Sequence, residues 1–250
     1  MMRFVMLFAV LFVFCGNAAQ AAKSLAIDLA QDRVDISTGF NGENLVLFGT
    51  YTPNTDLVIV VEGPRKDMAV RQKSKTLGMW MNRSRHVFKD VPAFYSYAQG
   101  NDRGGEEAYD VPEKVKKRHK ISPEFFVVRP ESLEGEDDKF KMFKEAFIRN
   151  ERDARMYPEA PAEIEFVSDR LFRTSIYMPS NVPKGEYNIT TYMLKGSTVL
   201  ETTQTRLKVA QVGRGAQIHN FAKDYGFLYG ILCICLALLA GWGINAVRKT

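Results

Sequence analysis

An uncharged apolar segment near the C-terminus constrains this chain more than any other feature. Tyr225–Val247 contains no charged residue in 23 positions. At a rise of about 1.5 Å per residue, a helix of this length crosses about 30 Å of hydrocarbon with some tilt. Tyr225 and Trp242 lie near its ends, as is typical of side chains at headgroups, and the basic pair Arg248-Lys249 follows at once. The segment therefore predicts a transmembrane helix over residues 225–247 and a cytoplasmic tail over residues 248–250.

The N-terminus has the three-part pattern of a secretory signal peptide. Arg3 supplies the positive charge, Phe4–Phe14 is an unbroken apolar run, and Ala19-Gln20-Ala21 is a small-x-small cleavage site. The apolar run is too short to span a bilayer, which needs about 20 helical residues. We therefore predict a signal peptide over residues 1–21 and a body over residues 22–220 that folds outside the cytoplasm.

The overall positive charge is no sign of nucleic-acid binding. All 29 acidic residues lie between Lys23 and Asp224, and that span holds 31 of the 34 basic residues, so its net charge is +2. The three cysteines (Cys15, Cys233 and Cys235) lie in the signal peptide and the C-terminal segment. The predicted body therefore has no disulfide, thiol nucleophile or cysteine-ligated zinc, and we expect no nucleic-acid partner.

Alternation of apolar and polar residues predicts a mainly β body. Short strands separated by turn residues are typical of a β-sandwich. The Gly185-x-Tyr187 sequence is typical of the penultimate strand of an immunoglobulin-like sandwich, in which a tyrosine ties a corner. The strands that the pattern predicts are Asn44–Tyr51, Asp56–Glu62, Leu171–Met178, Tyr187–Leu194 and Val199–Val209.

A helical segment over about residues 100–160 interrupts this pattern. Phe140, Phe143 and Phe147 recur at helical spacing among charged residues, which predicts an amphipathic helix from about Asp137 to Met156. One immunoglobulin-like sandwich with this segment inserted is preferred over two small domains, because three C-terminal strands alone would form a poor core.

An ordered set of short segments resembles one known family. The matching segments are Leu47-Phe48-Gly49, Val60–Pro64, Trp80, Pro92–Tyr95, Leu171-Phe172-Arg173, Met178–Tyr187, Phe221-Ala222, Tyr225-Gly226 and Gly241-Trp242. Together they resemble Alph_Pro_TM, a family of transmembrane proteins from alphaproteobacteria. The resemblance implies that the body lies in the periplasm and that the helix lies in the inner membrane. It implies no catalytic or binding residue, because the function of the family is unknown.

No common catalytic or nucleotide-binding motif is present. The sequence lacks a G-x-S-x-G elbow, an H-E-x-x-H metal motif and a phosphate-binding glycine-rich loop. His86, His119 and His219 are far apart in sequence, which favours surface or structural roles, although they can still converge in space. We therefore predict that the protein is not an enzyme and that it has no cofactor and no metal ligands.

Met79-Trp80-Met81, followed by His86, supports a copper hypothesis and a simpler alternative. Thioether and imidazole groups suit Cu(I). In a strand, however, Met79 and Met81 point to one side and Trp80 to the other, so the tryptophan cannot cover a metal that both methionines hold. Packing of either Trp80 or the methionine pair in the core is the favoured interpretation.

A basic run over Lys114–Lys120 also has two interpretations. It either meets anionic lipid or an acidic partner, or forms a solvated helix face. The acidic stretch Glu134–Asp138 follows closely, so it is a candidate to neutralise the basic run within the insertion, and its carboxylates suit the first turn of the next helix.

Small residues form a stripe along the predicted membrane helix. Because Gly226, Gly230, Cys233, Ala237 and Gly241 are spaced four, three, four and four apart, they share one face. Such a face allows close helix packing in lipid, either with a second copy or with a membrane-protein partner. The alternative is that glycine and alanine are simply common in membrane helices.

Two classes of function follow. The first is a non-enzymatic accessory or interaction module in the periplasm, anchored in the inner membrane. The second is a ligand-binding or sensing domain for a metal or a small anion, in which the insertion forms one wall of a pocket. A deep pocket with converging polar groups favours the second, and an exposed apolar patch favours the first.

Overall fold

The structure is a computed structural model that describes residues 24–37, 39–76, 78–102, 109–213, 218 and 221–248. The predicted signal peptide, His219 and the last two residues of the predicted tail lie outside this part of the chain.

Strands occupy both ends of the body, and the described residues between the two groups of strands form three helices. The first group of strands is β1 (Ala26–Leu29), β2 (Arg33–Ile36), β3 (Glu43–Thr50), β4 (Asp56–Glu62), β5 (Arg65–Thr76), β6 (Met79–Pro92) and β7 (Tyr95–Asn101). The helical segment contains α1 (Glu113–His119), α2 (Pro123–Phe126), a 3-10 turn (Glu131–Leu133) and α3 (Asp137–Asp153). The remaining elements are β8 (Ala162–Ser168), β9 (Leu171–Met178), β10 (Gly185–Lys195), β11 (Thr198–Gln211) and α4 (Gly226–Arg248).

Nine of the described strands form one curled sheet. Their order is β1-β3-β9-β8-β7-β4-β10-β11-β2, and β5 and β6 form a separate two-stranded hairpin. The two edge strands, β1 and β2, are neighbours in sequence, so the sheet must curl to bring its edges together. The Thr203 hydroxyl of β11 donates a hydrogen bond of 3.3 Å to the carbonyl of Leu25, just before β1. The prediction of a mainly β body is confirmed, whereas the immunoglobulin-like sandwich is not.

The corner tyrosine predicted from Gly185-x-Tyr187 has the expected contact. Tyr187 is fully buried, and its hydroxyl donates a hydrogen bond of 2.6 Å to the carbonyl of Pro183, four residues upstream. Its ring lies 5.8 Å from that of Phe94. This local feature is therefore present, although the immunoglobulin-like sandwich from which it was expected is not confirmed.

The helical segment covers one face of the sheet through an aromatic cluster. Six of the seven residues of β4 are buried, as expected for a strand that is covered on both faces. The Tyr95 ring of β7 lies 4.8 Å from that of Phe126, and its hydroxyl accepts a 2.7 Å hydrogen bond from the Ser122 N–H. The Tyr157 hydroxyl donates to the carbonyl of Pro92 at 2.7 Å. These contacts attach the helices to the strands around β7.

The amphipathic helix predicted from the phenylalanine spacing is confirmed as α3. Phe143 and Phe147 are buried, and Asp137 and Asp138 lie in the first turn, where the helix dipole favours carboxylates. The helix ends at Asp153, three residues before the predicted end. Arg155 has a φ of 59°, which takes the chain out of the helical conformation before Tyr157-Pro158.

Candidate functional site

Two long strands, β5 with 12 residues and β6 with 14, form a hairpin that continues the β4–β7 pair. The ladder of β4 and β7 ends at the Glu62–Tyr95 pair, and the ladder of β5 and β6 begins at the Arg65–Pro92 pair. Two backbone hydrogen bonds link these ladders, from Gly63 N–H to Phe94 O at 2.8 Å and from Ala93 N–H to Pro64 O at 2.9 Å. The β5–β6 ladder runs on to Thr76 and Met79, about 40 Å at the usual rise per residue.

Helix α3 contacts the base of this hairpin rather than its tip. The Phe88 ring of β6 lies 5.0 Å from that of Phe147, and the His86 ring lies 4.4 Å from that of Phe143. The Nδ1 atom of His86 also lies 2.9 Å from the hydroxyl of Ser132. His86 is therefore a structural residue between the hairpin and the helical segment.

The tip of the hairpin exposes three large side chains. Met79 is 65% exposed, Trp80 71% and Met81 52%. The favoured interpretation, that either Trp80 or the methionine pair packs in the core, is therefore wrong. The tip extends beyond the elements that would cover it, and the sequence pattern of alternating residues does not reveal how far a hairpin projects.

The copper hypothesis gains no support from this arrangement. Met79 and Met81 lie opposite Thr76 and Ser74, so they share one face, whereas Trp80 lies opposite Lys75 on the other. His86 is five positions beyond Met81 along β6, about 16 Å in an extended strand. Among the described residues, no group of three or more His, Cys, Asp or Glu side chains is placed to hold a metal ion.

The second histidine lies in a different environment. The His119 ring, at the end of α1, lies 5.0 Å from that of Tyr192 in β10. Partial burial, followed by the charge of Arg118, lowers the pKa of His119. His86 and His119 therefore have separate aromatic partners on α3 and β10, and the third histidine, His219, falls outside the described residues.

The basic run and the acidic stretch of the insertion have separate partners. Lys116 of α1 pairs with Asp110, and Arg129 pairs with Asp137. Lys139 pairs with Glu136 at 2.8 Å. Within the described residues, the acidic stretch is therefore paired with Arg129 and Lys139 rather than with the basic run, unlike the candidate pairing considered from the sequence.

A groove of about 400 Å³ lies between the helical segment and the sheet. Its lining includes Arg152, Arg155 and one acidic residue, Glu159, together with residues 94–96 and 175–177 of the sheet. Arg152 approaches Glu124 at 3.6 Å, but its buried Nε atom has no hydrogen-bond partner among the described residues. The groove is therefore lined by two guanidinium groups, which is the chemistry that binds a small anion.

Helix α4 carries the stripe of small residues predicted from the sequence. Gly226, Gly230, Cys233, Ala237 and Gly241 all lie within it, and an added Cβ at any of its three stripe glycines would meet open space. Its large apolar side chains are exposed, including Phe227 at 83%, Leu238 at 69% and Trp242 at 73%.

The predicted transmembrane span is not confirmed by the structure. Taken over the residues that the structure describes, no helix is both long enough and apolar enough to cross a membrane. The packing role of the stripe stays a prediction.

Comparisons with known proteins identify a family and little more. No curated protein matches the chain. Among solved structures, the chain is similar to the crystal structure of Spo0M, a sporulation control protein from Bacillus subtilis, at 8% identity and a TM-score of 0.27. The match covers 80% of this chain and 54% of that one, so the chain spans about half the length of Spo0M. The model of the family described as "Putative transmembrane protein (Alph_Pro_TM)" matches residues 24–250. This chain belongs to the Alph_Pro_TM family.

Proposed function

We propose that the protein is a non-enzymatic interaction module, anchored in the inner membrane by residues 225–247, with its β-rich body in the periplasm. The observation that carries the proposal is the exposure of the large apolar side chains of α4, such as Phe227 and Trp242. Leaving such surface in water costs about 25 cal/mol per Å², so a partner surface stabilises it.

Two further features support this anchor, and one weighs against it. The family is described as transmembrane, and residues 225–247 contain no charge. The feature against the anchor is that no described helix is both long enough and apolar enough to cross a membrane. Membrane attachment is therefore the first property to measure.

Two arginines within the apolar segment test the anchor. We expect Leu232→Arg with Leu236→Arg to release the full-length chain from vesicles into the alkaline carbonate supernatant, because each charge at the centre of a span costs about 3 kcal/mol. Leu171→Arg with Leu200→Arg, at exposed positions of the sheet, is the matched control and stays in the pellet. A wild-type chain that carbonate extracts contradicts the anchor.

Protease access tests the side on which the body lies. Protease added to spheroplasts is expected to digest residues 24–211, since the proposed body faces the periplasm. An intact body in sealed spheroplasts contradicts the orientation. Crosslinking in native membranes, followed by mass spectrometry, then identifies the partner of the interaction module.

The groove favours a second candidate function, the binding of a small anion. Its two lining arginines, Arg152 and Arg155, support this candidate. Inorganic phosphate or sulfate at 100 times its Kd would stabilise the chain by about 2.7 kcal/mol. We expect this stabilisation to disappear in Arg152→Gln and to persist in Arg149→Gln, an exposed arginine one turn earlier on α3. The absence of any stabilisation by either anion rejects the candidate.

A further inference from the structure

The hairpin and the chain segment that leads towards the C-terminal helix leave the sheet at the same end. Glu62, the last residue of β4, pairs with Asn188 of β10, which in turn pairs with Arg206 of β11. Because β10 is antiparallel to both neighbours, β4 and β11 run in the same direction. The chain passes from the end of β4 into the hairpin, and from the end of β11 at Gln211 towards α4.

The hairpin carries positive charge without any acidic residue over most of its length. Between Met68 and Lys89 the sequence has six Lys or Arg residues and no Asp or Glu. Lys89 pairs with Glu131 at 3.1 Å. The other five are exposed and make no ion pair with any residue that the structure describes: Arg71, Lys73, Lys75, Arg83 and Arg85.

Four of these five cations share one face of the hairpin with the tip tryptophan. Arg71, Lys73 and Lys75 alternate along β5, and their cross-strand partners are Arg85, Asn82 and Trp80. Cross-strand partners lie on the same face of a ladder, and like charges placed directly opposite repel each other. The Arg71–Arg85 pair is therefore unfavourable in the free protein, and a bound anionic surface would relieve it.

We propose that this hairpin docks on the surface of a bilayer that contains anionic lipid. The exposed Trp80, Met79 and Met81 enter the boundary between headgroups and acyl chains, and the five cations lie against lipid phosphates. Tryptophan is favoured at that depth because its ring is amphipathic. Lys and Arg near such a surface add attraction that salt screens.

A bilayer fits this surface better than a protein or a nucleic acid. A membrane accepts apolar side chains on both faces of a projecting tip, whereas a protein pocket encloses one anchor. Single-stranded nucleic acid binds through several stacking rings, and Trp80 is the only exposed ring between Met68 and Lys89 within the described residues. The choice of a bilayer rests on the proposed membrane attachment of α4, because β11 leads towards α4 from the end of the sheet that carries the hairpin.

The two tryptophans of the chain make hairpin and helix separately measurable. In full-length Trp242→Phe, Trp80 is the only tryptophan, and in Trp80→Phe, Trp242 is the only one. Each variant is reconstituted into vesicles with brominated acyl chains, with and without 30% anionic lipid. We expect Trp80 fluorescence to be quenched on anionic vesicles at low salt, with about half or more of the quenching lost on neutral vesicles or at high salt.

Charge removal tests the role of the cations. Arg71→Gln, Lys73→Gln and Lys75→Gln together, in the Trp242→Phe background, are expected to remove about half or more of the quenching of Trp80. Lys114→Gln, Lys117→Gln and Arg118→Gln remove the same number of Lys and Arg side chains from α1 and leave the quenching unchanged. Far-ultraviolet circular dichroism shows whether both variants fold, and a single Lys75→Glu substitution serves if the triple variant does not.

The failures of the two proposals are distinguishable. An unquenched Trp80 beside a quenched Trp242 overturns hairpin docking and leaves the anchor standing. A quenched Trp80 beside an unquenched Trp242 supports docking and overturns the anchor. Equal quenching of Trp80 on neutral and anionic vesicles, or protection of Trp80 by an acidic protein without lipid, also overturns the docking proposal.

Discussion

Gly49 shows at the scale of one residue why the sheet can curl so tightly. It lies in β3, between Ile27 of β1 and Phe172 of β9. A Cβ atom built at this position would lie 2.1 Å from the carbonyl oxygen of Ala26 and 2.8 Å from the Phe172 ring. The first contact is with backbone, which cannot move without shifting β1. The absence of a side chain here lets the two strands approach.

We therefore expect Gly49→Ala to lower the free energy of unfolding by about 3 kcal/mol, as overpacking in a core does at its upper range. Urea denaturation followed by tryptophan fluorescence measures the change. Gly39→Ala is the matched control, because an added Cβ at Gly39 meets no atom within 4 Å. Equal stability of the two variants would show that β1 can move away without cost.

At the scale of elements, the stripe on α4 has a direct test. Gly230→Leu with Ala237→Leu places two large side chains on the face that would allow close helix packing. We expect the double variant to show weaker self-association in vesicles, measured by energy transfer between labelled chains, or weaker co-purification of a partner helix.

The matched control adds bulk to the opposite face of the same helix. Leu228→Phe with Leu239→Phe lies about 180° away from the stripe at 3.6 residues per turn. This control is expected to leave association unchanged. If the stripe variant also associates and co-purifies like the wild type, the small residues reflect only the general composition of membrane helices.

The sequence predicts elements well where each carries its own apolar signal. The phenylalanine spacing of α3 and the alternation in β9 predict those elements because their buried faces repeat at a fixed period. Strand β8 and the bounds of β5 and β6 were not predicted. In the hairpin, cations and small polar residues replace the apolar half of the alternation, so a strand pattern without a buried face gives little signal.

In the candidate site, too, some features follow from the sequence pattern and others do not. The stripe on α4 follows from spacing alone, and the possibility that the insertion forms one wall of a groove follows from its place between strands. The exposure of Trp80 does not, because burial depends on how far the hairpin extends past α3. One sequence signal, the run of 22 residues from Met68 to Lys89 without an acidic residue, would have predicted that this hairpin is exposed and positively charged.

At the scale of the whole molecule, buried tyrosines limit stability at high pH. Burial raises the pKa of Tyr95, and burial followed by the charges of Glu151 and Glu62 raises the pKa of Tyr157. Their pKa values are therefore higher in the folded protein than the ordinary value of about 10 in the unfolded chain. The unfolded state then binds fewer protons above pH 10, so the stability that these groups contribute is complete below pH 10 and falls as pH rises beyond it.

We expect the free energy of unfolding to decrease from pH 9.5 to 11.5 in urea titrations of the full-length chain. The decrease should be less steep in Tyr157→Phe, which removes one buried phenol. Tyr177→Phe, which removes an exposed hydroxyl, is the control and should keep the slope of the wild type. A wild-type stability that is constant across this range would contradict the prediction.

The parallel pairing of β2 with β11 joins a strand that is synthesised early to one that is synthesised late. Arg33 lies opposite Lys208, so about 175 further residues must be synthesised before β2 can pair with β11. Contacts so distant in sequence form slowly, because the entropy cost of closing a long loop comes before the contacts contribute any stabilising free energy. A nascent chain shorter than residue 211 therefore displays an open sheet margin to its surroundings. Chaperones that shield unpaired strands would act during that interval. A chain truncated before β11 would keep the edge of β2 unpaired.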